Sequence, residues 1–194
     1  RLYGWHQDRL ISVNLVSGAY TEVANLGALT AGVLSGLAWD HTNGDALACS
    51  TSGEILRINL ANGSVLQNNN VGAKKWVALA VHPTSARIYG VALNGGAAEL
   101  HAIFRGTPFT SSLIGTISGI TPGAAAKDAF WDCDFQDTTG ELYLNAYASG
   151  GADPDHWETR TVQLTAQGAP PTVDSRVRLA NAPVSSIAIA TPPP

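Results

Sequence analysis

Leu37-Ala38-Trp39-Asp40-His41-Thr42-Asn43-Gly44-Asp45-Ala46-Leu47 reads as a short apolar strand, a polar turn and the start of a second strand. The pattern returns without a gap at Leu79-Ala80-Val81-His82-Pro83-Thr84-Ser85-Ala86-Arg87-Ile88-Tyr89. It returns again at Cys133-Asp134-Phe135-Gln136-Asp137-Thr138-Thr139-Gly140-Glu141-Leu142-Tyr143. A fourth copy opens at Ile187-Ala188-Ile189-Ala190-Thr191-Pro192-Pro193-Pro194. Its second half lies at the other end of the chain, where Arg1-Leu2-Tyr3-Gly4 matches Arg87-Ile88-Tyr89-Gly90. The alignment therefore runs on from Pro194 to Arg1.

The remainder of each unit repeats as well. Ile11-Ser12-Val13-Asn14-Leu15-Val16-Ser17-Gly18 parallels Leu56-Arg57-Ile58-Asn59-Leu60-Ala61-Asn62-Gly63, an alternating strand closed by a Ser-Gly or Asn-Gly turn. One unit then holds four strands: Leu37 to Asp40, Ala46 to Ser50, Ile55 to Leu60 and Ser64 to Asn68. No helix-period apolar stripe of useful length interrupts them. Four short antiparallel strands in each ~40–45 residues predict an all-β fold, a four-bladed β-propeller in one domain. The blade seams fall near residues 27–36, 70–76, 117–129 and 180–184. The split unit predicts closure of the ring: a C-terminal strand over Val184 to Ala190 pairs with Leu2 to His6 and completes the blade of the three N-terminal strands. Four units cut from a larger ring would give the same pattern. The triple proline at the end favours a true terminus or linker. The expected count is about 15 or 16 strands.

The units resemble the repeats of the broad YVTN/NHL/PQQ-like β-propeller superfamily. The resemblance rests on strand-Asn-Leu-x-x-Gly runs followed by Gly36-Leu37-Ala38-Trp39-Asp40. It covers the whole chain at the level of architecture. It implies blades around a channel with ligands at one channel face, and no single activity. The Trp-Asp pair of WD40 blades is not at its usual blade end, since Trp39-Asp40 lies on the first strand of its unit.

Composition narrows the function classes. Hydrophobic residues make up 45% and charged residues 13% of the 194, which fits a folded globular chain rather than disorder. The net charge is -4, and no Lys/Arg run offers a surface to nucleic acid or to anionic lipid. No apolar stretch reaches the ~18 residues that span a bilayer. Low charge with many Ser, Thr, Asn and Gly residues suits an extracellular, cell-surface or virion-associated protein. A start at Arg1 in a chain without Met fits removal of a leader.

The alignment also makes rings of equivalent residues. Leu37, Leu79, Cys133 and Ile187 form one; Trp39, Val81, Phe135 and Ile189 form another; both are expected in the core between blades. Ala38, Ala80, Asp134 and Ala188 lie between them, where small residues suit a crowded centre. Cys133 thus falls on a first strand and Cys49 on a second strand two units away, too far apart for a disulfide. Both are expected as free, buried thiols. Asp134 is either a ligand for a cation, water or amine near the channel or a strand-end carboxylate bonded to backbone amides. Asp40, His82, Gln136 and Ala190 give too few ligands for a metal site, and no cofactor is expected.

Two insertions stand out. Ala148-Ser149-Gly150-Gly151-Ala152-Asp153-Pro154-Asp155-His156-Trp157 lengthens the link between the second and third strands of its unit. Asp153, Asp155 and His156 are liganding types, but the rest of an EF-hand ladder is missing, so a polar loop anchored by Trp157 or a binding loop is expected. Ile117 to Ala129 precedes an innermost strand and so crosses between blades, as Ala73-Lys74-Lys75-Trp76 does one blade earlier. Trp76 and Trp131 are read either as inter-blade core or as platforms for a ligand, and Asp132 and Asp134 join them as candidate contacts. No Gly-x-Ser-x-Gly, His-Glu-x-x-His, Cys-x-x-Cys or phosphate-cradling motif occurs, and no catalytic residue is assigned. A carboxylate pair for a hydrolase or lyase would come from Asp128, Asp132 and Asp134. The expectation is a non-enzymatic binding or assembly module using propeller-face loops on a protein partner, with a homo-oligomer or a larger assembly open to it. A lectin-like module for a glycan ranks second and a channel-face hydrolase or lyase third.

Overall fold

The computed structural model describes residues 2–6, 8–122, 131–136, 139–150, 153–164 and 172–179. They contain fifteen strands and no helix. The first sheet holds three strands in the order β1 (Leu2–His6), β2 (Arg9–Val13) and β3 (Tyr20–Asn25). The second holds β4 (Leu34–Asp40), β5 (Asp45–Ser50), β6 (Glu54–Asn59) and β7 (Val65–Asn70). The third is β8 (Lys75–Val81), β9 (Ile88–Asn94), β10 (Ala97–Phe104) and β11 (Thr110–Thr116). The fourth is β12 (Asp132–Phe135), β13 (Leu142–Gly150), β14 (Asp153–Gln163) and β15 (Thr172–Leu179). Each sheet is an antiparallel meander, with neighbours in sequence paired in space.

The repeat is visible in the turns. Gly44, Ala86 and Gly140 each donate a backbone N–H to the carbonyl four residues earlier, on Asp40, His82 and Gln136. The side chain at the first position then caps the turn. Asp40 Oδ1 accepts from Thr42 N at 3.2 Å, and His82 Nδ1 accepts from Thr84 N and Ser85 N at 3.2 Å each. The other turn type behaves alike: Gly18 and Gly63 donate to the carbonyls of Asn14 and Asn59, whose side-chain oxygens cap the turn residues. Short polar side chains that bond their own backbone make these turns cheap to form.

Alternation along each strand sends residues to two faces, and each face packs on a different sheet. Ala46, Ala48, Leu56 and Ile58 of the second sheet meet Leu10, Ala24 and Leu26 of the first. Leu47, Cys49 and Ile55 face the other way and pack with Trp76, Leu79, Val81 and Ile88 of the third. Ala78, Ala80, Val91 and Leu100 join Cys133, Phe135, Leu142 and Leu144 of the fourth in the largest core. Sheets one to four thus stack in sequence through three apolar cores. Among the described residues no such core joins the fourth sheet to the first.

The inner strands converge tightly. A Cβ added at Gly36 of β4 would meet Ala78 Cα and Leu79 N of β8 at 2.8 Å each. That close approach explains why the repeat places Ala38 and Ala80 beside it, both buried. Trp39 corrects the sequence reading. Val81 and Phe135, its equivalents, are buried, whereas Trp39 is 64% exposed. Its side of β4 looks into a cleft beside β1 instead of into a filled core.

Candidate functional site

The residues singled out from sequence fall in two places. Trp76 starts β8 and Trp131 precedes β12; both rings are buried, in the cores below their crossings. Neither offers an open face for a sugar ring. Trp76 packs edge-on against His101, with ring centroids 5.1 Å apart. The charge of its crossing is satisfied internally: Lys74 Nζ lies 3.4 Å from Glu99 Oε2 and 3.2 Å from His101 Nε2. Asp132 is buried and accepts from Cys133 N at 3.0 Å, and half-buried Asp134 accepts from Phe135 N at 2.8 Å. Residues 123–129 of the second insertion, Asp128 among them, lie outside the described residues.

The first insertion is more regular than its composition suggests. β13 and β14 extend into it, so Asp153, Asp155 and His156 lie on the first residues of β14, with Gly150 opposite Asp153 and Ala148 opposite His156. Trp157 is buried against Tyr147, ring centroids 5.1 Å apart. Its burial ties the base of this hairpin to the sheet. Among the described residues no group of three His, Cys, Asp or Glu side chains comes together as metal ligands.

Cys49 and Cys133 are free and buried. Cys49 Sγ is 3.4 Å from Ser35 Oγ and accepts from Gly36 N at 3.3 Å. Burial pushes its thiol up to about 12, and burial together with the Asp132 and Asp134 carboxylates raises that of Cys133. The thiolate is the reactive species. At about pH 8 both cysteines are therefore expected to resist alkylation in the folded protein and to react once it is denatured. Mass spectrometry after an iodoacetamide pulse checks this. Labelling of the native chain at free-thiol rates would contradict the packing around both.

Open surface is found at the end where β4 turns into β5 and β6 into β7. A cleft of about 740 Å³ lies there between the first two sheets. Its walls are Leu2 and Tyr3 of β1, Leu37 and Trp39 of β4, Ala46 of β5 and Leu60. Beside it stands the β2–β3 turn, since Leu2 pairs with Val13. Asn14 holds that turn rigid: its Oδ1 accepts from Val16 N at 2.8 Å and Ser17 N at 3.2 Å, and its N–H donates to Ala19 O. The tip carries Leu15, 73% exposed, and Val16, 97% exposed.

Sequence reasoning missed a cross-sheet pair on the same end. Arg105, after β10, reaches Asp40 with Nη2–Oδ1 2.8 Å and Nε–Oδ2 3.1 Å, and its Nη1 donates to the Ala86 carbonyl. Burial alone would raise the Asp40 carboxyl, but hydrogen bonds from Arg105, Asn43 and Thr42 and the Arg105 charge hold it below the usual range. Asp40 thus fastens the second sheet to the third.

No family model matches the sequence, and no curated protein matches it. Solved structures do match. A crystal structure of a nidogen/laminin complex aligns with TM-score 0.57 at 13% identity, covering 88% of this chain and 59% of that one. The β-propeller domain of Cps50 (Swd1) from Myceliophteria thermophila aligns with TM-score 0.47 at 9% identity over 87% of this chain and 65% of that one. The C-terminal WD40 domain of Sif2 gives 0.43 at 14% identity over 92% and 56%. The chain resembles β-propeller structures in fold, a likeness carried by the nidogen-complex match, and it spans 59% of the chain matched there.

Proposed function

We propose that this protein is a non-enzymatic binding module on an extracellular or virion surface, a four-bladed propeller that holds a protein partner at its turn face. The observation that carries the reading is the β2–β3 tip. A capped, rigid turn presents Leu15 and Val16 almost bare to solvent, in a position where polar residues are usual. Rigid apolar side chains on a preorganised loop bind a partner with little ordering cost. The equivalent tip of the second sheet carries Leu60, half-buried, and Ala61 instead. The low charged content supports a surface setting.

Closure of the ring is part of this proposal. Val81 packs in the same core as Ala38 from the inner strand of the preceding sheet, and Phe135 in the same core as Ala80. The repeat puts Ala188 in that relation to Trp39. Val184 to Ala190 lie outside the described residues; in this proposal they sit in the cleft beside Trp39, along the open edge of β1, which leaves the Leu15–Val16 tip free for the partner.

A photo-cross-linking amino acid at position 16, with position 42 as control, is expected to capture one partner. That partner, purified, should bind the wild-type chain, and the double variant Leu15→Ser, Val16→Ser should bind it at least ~10-fold more weakly with unchanged melting. Equal binding by the double variant would refute the tip as the contact.

A further inference from the structure

A second pocket, independent of the apolar tip, lies between the second and third sheets at the turn face. It holds about 190 Å³ and is lined chiefly by Asp40, Asn43, Leu47, Arg57, Gln67 and Arg105. Its two guanidinium groups differ. Each nitrogen of Arg105 is already engaged, Nε and Nη2 by Asp40 and Nη1 by the Ala86 carbonyl. Arg57 gives only Nε, to Asp45 Oδ2 at 2.6 Å, so both Nη1 and Nη2, with two N–H donors each, are unspent. The Arg57 side chain is 34% exposed. Asp45, nearly buried, holds it by the Nε edge alone.

Gln67 is oriented just as firmly. Its Nε2 donates to Gly106 O at 2.6 Å and to Asn69 Oδ1 at 2.7 Å, which leaves Oε1 as an acceptor. Buried Leu47 and Phe109 form apolar wall. The charges balance, since Asp40 pairs with Arg105 and Asp45 with Arg57. A carboxylate or phosphate would enter beside two aspartates with no uncompensated positive charge to meet it. A neutral ligand that accepts two hydrogen bonds at adjacent oxygens and returns one fits better.

We infer that this pocket takes the vicinal diol of a neutral saccharide ring. The two oxygens accept from Arg57 Nη1 and Nη2, and one hydroxyl donates to Gln67 Oε1. The Asp45 bond holds the guanidinium in place for this contact, a pre-set fork that a lysine does not supply. A ligand of one ring has a Kd of about a millimolar by size.

The test is NMR titration of the full chain with a panel of methyl hexopyranosides and, separately, acetate, following the Arg57 Nε–H signal in the wild type and the backbone N–H signals of Asn43, Leu47 and Gly106, which line the pocket, in every chain. At least one glycoside should shift these signals saturably, and Arg57→Lys, which keeps the charge beside Asp45, should weaken the affinity read from the backbone signals at least ~10-fold. Gln67→Ala should weaken it too, and melting curves show that each variant is folded. No shift with any glycoside up to about 100 mM overturns the inference. So does saturation by acetate alone, or an Arg57→Lys chain that binds the glycoside as the wild type does. Loss of partner binding at Leu15 and Val16 is read separately, because neither residue lines this pocket.

Discussion

Removing residues 184–194 is expected to give a chain that aggregates or melts without a transition where the full chain melts cooperatively. The first sheet has three strands where each of the others has four, and its edge strand β1 has no described neighbour on one side. An unpaired edge is a template for pairing with other chains. Buried backbone groups left without partners cost ~1–3 kcal/mol each, so a few of them match the ~5–15 kcal/mol that a domain has in hand. Tyr3 and Trp5 of β1 already pack into the first core, so if the proposed pairing holds, losing the segment strips the flank of that core. Light scattering and melting of chain 1–183 against the full chain make the test. Removing only Pro192, Pro193 and Pro194 should change little. Joining the ends by a short linker and opening the chain at Gly72 should also be tolerated, because Gly72 lies on the short link between the second and third sheets and a Cβ there meets nothing. A 1–183 chain that stays monomeric with unchanged melting would rule out closure by this segment.

The strand plan was legible in the sequence because it is periodic. The five-residue turns at Asp40, His82 and Gln136 repeat both backbone bonding and spacing, so aligning the three stretches aligned the strands on each side. Ring membership was less secure, because burial depends on what stands opposite. Trp39 shares its register with Val81 and Phe135 yet opens onto a cleft. The tryptophans at 76 and 131 drew notice as aromatic residues beside polar loops, but a crossing strand begins there and its first large side chains turn inward. Asp40–Arg105 and Arg57–Asp45 left no mark in the repeat. The first joins residues 65 apart, on turns of different units, and neither partner has a counterpart at the matching position elsewhere. The Ala148–Trp157 stretch looked like a loop from its Gly, Asp and Pro content, whereas β13 and β14 pair through most of it.

Gly63→Ala is expected to cost ~3–5 kcal/mol, and Gly44→Ala only ~1–2 kcal/mol, although both glycines have the same left-handed backbone. Gly63 closes the β6–β7 turn with φ +73°, and Gly44 closes the β4–β5 turn with φ +72°. A methyl group in that conformation strains either turn alike. The surroundings differ. At Gly44 an added Cβ meets nothing within 4 Å. At Gly63 it would collide with the Val23 carbonyl oxygen and approach Ala24 Cβ at 3.2 Å, both on β3 of the neighbouring sheet. Backbone cannot rotate aside as a long side chain does, so the turn or the whole first sheet must shift. The difference between the two variants thus isolates how firmly the second sheet bears on the first. For a chain of this size each kcal/mol moves Tm by about 2–4 °C, so Gly63→Ala should melt several degrees below Gly44→Ala. Gly18→Ala, with φ +71° and open space around it, should behave as Gly44→Ala does. If all three variants melt together, the β6–β7 turn does not press on β3, and the two sheets are held by the Leu10, Leu26, Leu56 and Ile58 core alone.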